Sequence, residues 1–596
     1  MKHLKLIHKL GIIVFLIGFG CYLSIFFLGR FELNQDTLNN TLGEEKAAYL
    51  DNSFDDVMGK TYDSQFPFIA DLKRAFKGLN TRIEETFELN KSLATTIANE
   101  ASNYTFKQSI IDEVITDKGA VGEWQRAQFK AYTGWMECKS YETAEALSGE
   151  LSNVIANVNG SITGSKGFSD DAIKNKVFTI TKESDNGAVA SHPLLWLLLA
   201  IVLPIIGAGL YLLPRLKLEK PGIKNDNIYH NALKSRGWLG ILVGGFLIGF
   251  YIFLYFFPAY MVTWIEMVDP VSKLLNGSPA SQWFLYGFLY TIAILVMGFR
   301  MMLKYRHSKY QLIRTASVMF FQLSFAFLIP EILVRLNQPS MDFKNMWPLD
   351  YSFFFEYRLD TLLENGTLGI FMLGWGIALF VLGVPIFTYL YGKRWYCSWV
   401  CGCGGLAETL GDPYRQLSDK SLKAWKFERI SIHAVLVFAV VMTIGVLYTY
   451  FSGSSSLAGL NTYDIRATYG FGIGAIFSGV IGTGFYPLMG NRVWCRFGCP
   501  LAAYLGLVQR FKSKFRITTN GGQCISCGNC STYCEMGIDV RWYAQRGQNI
   551  VRSSCVGCGV CSSVCPRGVL NLENKDPKGR LNQPSLLGND SFEVGH

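Results

Sequence analysis

The sequence CISCGNCSTYC at residues 524–534 and the sequence CVGCGVCSSVCP at residues 555–566 are two copies of one pattern, C-x2-C-x2-C-x3-C. Thiolates at this spacing suit a cubane iron–sulfur cluster, because one loop can hold three corners and leave the fourth to a distant cysteine. Zinc sites usually separate two C-x2-C pairs by a longer loop. A disulfide framework would be kept reduced in a segment that faces the cytoplasm, as argued below. The spacing therefore predicts two [4Fe–4S] clusters.

The segment resembles the bacterial two-cluster ferredoxin, a small α+β fold, and that resemblance implies crossed ligation. One cluster would be held by Cys524, Cys527, Cys530 and Cys565, and the other by Cys555, Cys558, Cys561 and Cys534. The first copy departs from the family at Glu535, where proline is usual. We expect that difference to change a turn without removing a ligand.

Eight apolar runs, each long enough to cross a bilayer, precede this segment. The first, residues 10–28, follows three lysines, is long for a signal peptide and lacks a small-residue cleavage site, so we interpret it as an uncleaved anchor. The others lie at about 194–214, 237–257, 283–300, 315–334, 368–391, 431–451 and 471–490. Basic residues concentrate in alternate loops, which predicts cytoplasmic N- and C-termini in a bacterial inner membrane. These basic residues are Arg215, Lys217, Lys220, Lys224, Lys234, Arg236, Arg300, Lys304, Arg306, Lys309, Arg314, Lys393, Arg394, Arg415, Lys420, Lys423, Lys426 and Arg429.

The predicted organisation has five parts. Residues 1–30 form the anchor, 31–190 an exported (periplasmic) helical domain, and 191–500 a membrane domain of about seven helices. Residues 501–573 form the cytoplasmic ferredoxin-like domain, and 574–596 a polar tail expected to be disordered. In the exported part, apolar residues recur at spacings of three and four, which is typical of a helical bundle. We expect a loop at residues 160–164 and a small buried residue at Cys138.

A second group of cysteines follows the sixth and eighth spans, in two C-x3-C turns at the expected cytoplasmic membrane surface. Its members are Cys397, Cys401, Cys403, Cys495 and Cys499. Thiolates from two such turns can converge on one soft metal centre, which leaves a third iron–sulfur cluster, copper or zinc as candidates. The alternative is a set of reduced structural cysteines. Arg394, Arg492 and Arg496 would lower the thiol pKa values, or would simply anchor the loops.

Paired C-x3-C turns after membrane helices, followed by a two-cluster ferredoxin segment, resemble the membrane polyferredoxins of the NosR/NapH type. The likeness covers about residues 368–572 and implies electron transport to a membrane or periplasmic redox partner. A related branch assists cytochrome oxidase assembly through copper reduction. The chain departs from the family at Gly402, where Cys-Pro is usual, and lacks an S/T-G-A-T flavin attachment sequence. Covalent FMN is therefore not expected.

The charge distribution and the cysteine motifs argue against nucleic-acid binding and against covalently bound haem. The net charge of +10 lies largely in loops between apolar runs, so it does not indicate nucleic-acid binding. No C-x-x-C-H occurs, so c-type haem is not expected.

We interpret the chain as a membrane-bound iron–sulfur electron-transfer protein linking a cytoplasmic or quinone pool to a redox partner, and as a component of a respiratory oxidoreductase rather than a stand-alone enzyme. A copper-handling assembly factor and a redox-linked transmembrane sensor are the alternatives. Glu331 and Glu266 lie near the exterior ends of spans. A glutamate there either contributes to a quinone or proton site or, more often, is simply solvated at the membrane interface.

Overall fold

The computed structural model describes residues 2–42, 53–115, 120–218 and 237–574. Lys220, Lys224, Lys234, Arg236 and the predicted tail beyond residue 574 lie outside these ranges. The chain divides into two compact units. Residues 23–196 and 258–267 form a helical unit, and residues 1–22, 197–257 and 268–596 form the unit that contains the cysteine-rich segments.

Within the described residues, eight helices are long and apolar enough to cross a membrane, which confirms the predicted multi-pass architecture. Spans 1 to 8 are His3–Ile25, Pro193–Leu218, Trp238–Phe256, Gln282–Lys304, Lys309–Arg335, Gly366–Tyr391, Leu422–Ser452 and Thr462–Gly484. Span 8 begins nine residues earlier than predicted, because the polar residues of Thr462–Tyr469 continue the same helix.

Three of these spans contain a π-helical segment just before a proline. The segments are Leu198–Val202, Gln322–Leu328 and Leu379–Gly383, which precede Pro204, Pro330 and Pro385. Proline lacks an N–H and its ring clashes with the carbonyl four residues earlier, and the wider π turn accommodates both defects. A fourth π segment, Gly470–Ile481, lies in the glycine-rich span 8.

The helical unit has two buried apolar cores, which the stripes of apolar residues fill. Its helices are Gln35–Leu42, Gln65–Phe87, Ser92–Glu100, Ser109–Val114, Ala120–Thr133, Ala144–Ser165, Asp170–Glu183, Ala188–Ser191 and Val262–Met267. Two expectations were wrong here. The expected loop at 160–164 is helical, because Val158 and Ile162 are buried on the inner face, and Cys138 is exposed.

Short helices lie between the spans, after the last span and within the C-terminal segment. They are Asp269–Leu275, Glu356–Glu364, Arg394–Cys397, Gly402–Thr409, Tyr486–Met489, Val493–Phe497, Pro500–Lys512, Asn529–Thr532, Val540–Gln545 and Val560–Ser563. Three two-stranded antiparallel sheets occur among the described residues: Phe31–Glu32 with Thr61–Tyr62, Ser456–Leu457 with Leu460–Asn461, and Phe515–Thr519 with Leu570–Asn574.

The last of these sheets closes the ferredoxin-like segment, because it pairs the strand before the first cysteine with the strand after the last. The two cysteine runs also share one backbone. Gly528 and Gly559 each follow the second cysteine, with φ of 78° and 71°, and each begins a short helix. A left-handed residue is most easily supplied by glycine. The repeat in sequence is therefore also a repeat in structure.

Candidate functional site

The first cysteine run and the last cysteine of the second run line one pocket. Cys524, Cys527 and Cys530 surround it together with Cys565 and the following Pro566. Cys527 is exposed and Cys530 is buried, so this pocket lies near the surface of the segment. The arrangement is the one that crossed ligation requires.

The second pocket is lined by Cys555, Cys558, Cys561 and Cys534, which again joins three cysteines of one run to the fourth of the other. Side chains from span 5 and from the helix Pro500–Lys512 hold its loop. Tyr310 Oη donates to Gly557 O over 2.8 Å, Gln311 Nε2 to Cys558 O over 2.8 Å, and Gln509 Nε2 to Cys555 O over 2.8 Å. The second pocket therefore faces the spans.

The cysteines are not paired in disulfides, and their placement is not that of a tetrahedral zinc site. All fifteen cysteines are free, so no disulfide competes for them. In a tetrahedral zinc site with Zn–S bonds of about 2.3 Å, the sulfur atoms lie about 3.8 Å apart. Among the described residues, no three thiols lie within 4.8 Å of one another. The thiols as placed therefore do not form a closed tetrahedral zinc site.

The cysteines of the two turns are buried in the same apolar core as the ferredoxin cysteines. Cys397, Cys401, Cys495 and Cys499 are each less than 9% exposed, and Cys403 packs against them. Their position at the cytoplasmic membrane surface stays a prediction. A Cβ at Gly402 would lie 2.9 Å from Gln322 Oε1 and 3.8 Å from Tyr290 Oη.

Gln322 lies 13 residues inside span 5, about 20 Å along a helix from Lys309. The chain after span 6 therefore folds back among the spans, and the turns are recessed within the bundle.

Of the three arginines expected to favour thiolates, the structure places one at the cysteines. Arg492 Nη1 lies 3.6 Å from Cys495 Sγ, whereas Arg496 pairs with Glu428 and Arg394 stacks on Phe515. Burial raises the pKa of Cys495, and the opposing effect of Arg492, which lowers it as expected, is too small to reverse that rise.

Cys401 and Cys403 of the first turn are hydrogen-bonded to each other. A hydrogen bond between Cys401 and Cys403 lowers the pKa of Cys401 to about 6 and raises that of Cys403, so one thiolate is favoured within the pair.

A buried network of ion pairs connects the turns to the ferredoxin-like segment. At its centre Glu408, which follows the first turn, pairs with Arg314 and accepts from Arg492 Nη2 over 2.6 Å. Arg415 Nε lies 2.9 Å from Asp412 Oδ1, and Lys304 Nζ lies 2.7 Å from Asp412 Oδ2.

Burial alone would raise the pKa of Asp412. The positive charges of Lys304, Arg415 and Arg300 outweigh that effect and hold the pKa below its usual range, so the carboxylate stays ionised.

Glu535, the residue that replaces the usual proline, belongs to this network. It pairs with Arg415 at 2.5 Å and with Arg492 at 3.0 Å, and it is 1% exposed. Burial would raise its pKa, but the two arginines outweigh burial and lower the pKa to about 2. Glu535 is thus an ionised carboxylate that directly follows Cys534, a cysteine of the second pocket. The expectation that it only changes a turn missed this role.

One group of potential metal ligands lies within 4.8 Å in the described part of the chain: Glu408, Glu535 and Cys558. Because arginines occupy both carboxylates, we assign this group to the ion-pair network. Sequence reasoning attributed Arg314 and Arg415 to topology, yet they are 1% and 0% exposed. The available signal was Glu408 and Asp412, two acids four residues apart in a loop whose charged residues are mostly basic.

The loop after span 5 enters the bundle from the opposite end. Met346 is 1% exposed and lies in the core that holds the turn cysteines, and Trp347 Nε1 donates to Thr443 Oγ1 in span 7 over 2.9 Å. Lys344 is also buried and is among the positive charges that lower the pKa of Cys401. The recessed cysteines are therefore contacted from both ends of the spans.

The two glutamates considered for a quinone or proton site lie elsewhere. Glu331 accepts from Asn276 Nδ2 over 2.6 Å, a structural contact near the end of span 5. Glu266 is 5% exposed beside Asp185 in the helical unit, so the expectation of a solvated residue was wrong there. Burial raises the pKa of Asp185.

Comparison with known proteins agrees with this geometry. A family model described as a 4Fe-4S binding domain matches residues 373–421 and 471–518, which contain the two turns. A model described as a 4Fe-4S dicluster domain matches residues 523–570.

Relatives include YccM of Escherichia coli, named for electron transport, which is 29% identical over 27% of this chain and 47% of its own length. The methylamine utilization ferredoxin-type proteins MauN of Methylobacillus flagellatus and Paracoccus denitrificans are 24% and 27% identical, over 25% and 27% of this chain and 50% and 56% of their own.

The chain thus spans about half the length of the curated relatives it matches. No solved structure matches it. These comparisons confirm 4Fe-4S binding segments of ferredoxin type and the likeness to membrane polyferredoxins. They do not name the NosR/NapH type, which stays a prediction.

Proposed function

We propose that this chain passes electrons between a cytoplasmic or quinone pool and a membrane or periplasmic redox partner. The observation that carries the proposal is the single buried core in which both ferredoxin pockets and both turns meet. The exposed first pocket would exchange electrons with a soluble carrier, and the second would pass them towards the turns. Basic loops support a bacterial inner-membrane protein with both termini cytoplasmic.

In this proposal three centres act in order. Cys524, Cys527, Cys530 and Cys565 hold the outer [4Fe–4S] cluster, and Cys534, Cys555, Cys558 and Cys561 hold the inner one. Cys397, Cys401, Cys495 and Cys499 hold a third, with Cys403 beside it. Iron–sulfur clusters supply reversible one-electron chemistry, while the protein tunes the potential through burial and hydrogen bonds to sulfur. The buried loop at Met346 supports an exit towards the opposite side of the membrane.

The iron content tests this proposal. Anaerobically purified chain is expected to contain about twelve iron and twelve sulfide, and the variant with Cys401→Ser and Cys495→Ser about eight of each. EPR of the dithionite-reduced variant should keep the ferredoxin signals. About eight iron atoms in the unaltered chain would exclude a third cluster. Copper at the turns would favour the assembly-factor function. Stoichiometric zinc with little iron would overturn the proposal.

A glycine substitution tests the turn without touching a ligand. A Cβ at Gly404 would lie 2.0 Å from Cys397 O, so Gly404→Ala must displace the first turn. We expect this variant to lose about four iron and keep the ferredoxin clusters. Gly374 in span 6 has no atom within 4 Å of its Cβ position, so Gly374→Ala is the matched control and should keep all iron. Equal iron in both variants would contradict a cluster at the turns.

A further inference from the structure

The membrane part contains a large apolar cavity between spans 1, 2, 3 and 4 and the helix after the first turn. Its volume is about 1220 Å³, including the space at its mouth. The lining is almost entirely aliphatic and aromatic, with Phe15, Pro204, Phe250 and Ala293 contributed by four different spans. A space of this character suits a hydrophobic molecule that enters from the lipid.

Three tyrosines lie at one end of this cavity. The ring centroids of Tyr251 and Tyr286 are 6.0 Å apart, and those of Tyr286 and Tyr290 are 5.4 Å apart. Tyr251 Oη donates to Thr483 Oγ1 over 3.3 Å. Phenolic hydroxyls both donate and accept, so the apolar cavity ends in a group of polar contacts.

The same tyrosines line a second, smaller cavity of about 420 Å³, which is bounded by Cys403 and Cys495. The large cavity therefore adjoins the recessed turns through a shared wall of aromatic rings. Span 8 borders the smaller cavity with a glycine, Gly479, whose lack of a side chain leaves room for the tyrosine rings. A Cβ at Gly479 would lie 2.7 Å from the Tyr255 ring and 2.9 Å from the Tyr251 ring, so a larger residue would disturb the wall.

Two buried polar atoms at the smaller cavity have no partner in the described protein. They are the indole Nε1 of Trp494, a donor, and the amide Oδ1 of Asn491, an acceptor. Both residues line the cavity, and their exposed fractions are 7% and 1%. Buried polar groups are nearly always hydrogen-bonded, so an orphaned donor and an orphaned acceptor lining one cavity indicate a ligand that supplies the missing partners.

We propose that these joined cavities bind a quinone, with the isoprenoid tail in the large cavity and the ring at the tyrosines. A quinone has a flat apolar ring for the aromatic wall, carbonyl oxygens for Trp494 and the tyrosine hydroxyls, and in its reduced form hydroxyls for Asn491. A lipid acyl chain would fill the apolar space but leave the polar end unsatisfied. The assignment rests on the proposed function, because it identifies the membrane carrier that the electron-transfer chain would use.

Photolabelling with an azido-benzoquinone that carries a decyl tail, followed by peptide mapping, tests this site in the full chain in lipid vesicles. Label is expected on spans 3 and 4, near Tyr251 and Tyr290. Equilibrium binding of decyl-benzoquinone should weaken about tenfold in Tyr290→Phe, the loss of about one hydrogen bond. Ala293→Phe should weaken it further by filling the cavity. Ile370→Phe, on an exposed face of span 6, is the control and should leave binding unchanged.

Each variant is compared at unchanged iron content, so that a folding defect is separated from a binding defect. Label spread evenly over all spans, or displacement of the quinone by equal amounts of phosphatidylethanolamine, would identify the cavity as a lipid site and overturn the proposal. If iron and EPR signals are as proposed but no quinone binds, the quinone site fails and the electron-transfer function stands. If the iron is absent while quinone still labels the tyrosines, the electron-transfer function fails and the quinone site stands.

Discussion

A chain carrying both Cys524→Ala and Cys565→Ala is expected to lose no more iron than the Cys524→Ala chain alone, about four atoms. The reason is that Cys565 lines the pocket formed by Cys524, Cys527 and Cys530, so both substitutions damage one cluster. A chain carrying Cys524→Ala and Cys534→Ala is expected to lose about eight, because Cys534 lines the other pocket. Iron and sulfide per chain, with EPR of the reduced protein, measure the difference.

The comparison is a double-mutant cycle, in which substitutions at one site are not additive and those at independent sites are. Ligation within each run would reverse the two results, so that the pair Cys524 and Cys534 would behave as one site. The exposed residue Ser526, between Cys524 and Cys527, offers a control in Ser526→Ala. That chain should keep all its iron, which would show that a changed loop side chain alone does not release the cluster.

Local patterns made part of this structure predictable. Cluster ligands lie close together in sequence, and an apolar run of about 20 residues crosses a bilayer whatever surrounds it. The two ferredoxin runs and the eight spans follow from such patterns. A helix through Gly160 and Gly164 did not, because glycine costs about 1 kcal/mol in a helix and reads as a loop. Val158 and Ile162, which lie on the buried face of the same helix, outweigh that cost.

Long-range packing was not predictable in the same way. Arg415 and Lys423 lie in the same basic loop and contribute equally to the prediction of topology. In the structure, however, Arg415 is fully buried and Lys423 is exposed. What separates them is Glu535, more than a hundred residues along the chain, which only the folded structure brings to Arg415. The position of the two cysteine turns was unpredictable for the same reason, because it depends on long-range packing. Their sequence shows that they follow a span, and only the packing against Gln322 shows that they return into the bundle.

Glu535→Gln is expected to lower the free energy of unfolding of the C-terminal part by about 3–5 kcal/mol, the usual cost of removing one partner from a buried ion pair. In the network, Arg314, Arg415 and Arg492 face three carboxylates, and the substitution leaves the arginines with a buried excess of charge. The isosteric amide keeps the shape and one acceptor, so the loss measures the charge. Denaturant titration, followed by the absorbance of the inner cluster, would give the change.

Asp539→Asn is the matched control, because it removes the same charge from the same segment. Asp539 accepts a hydrogen bond from Ser531 Oγ over 2.7 Å. We expect a loss of about 1 kcal/mol there. Glu535→Pro, which restores the residue usual in ferredoxins, separates the turn from the charge. If the turn alone matters, the proline variant will be as stable as the original chain. If the carboxylate joins the ferredoxin-like segment to the turns, Glu535→Pro will be destabilised at least as much as Glu535→Gln, and its inner cluster will be lost first, because Glu535 directly follows the ligand Cys534 of that cluster.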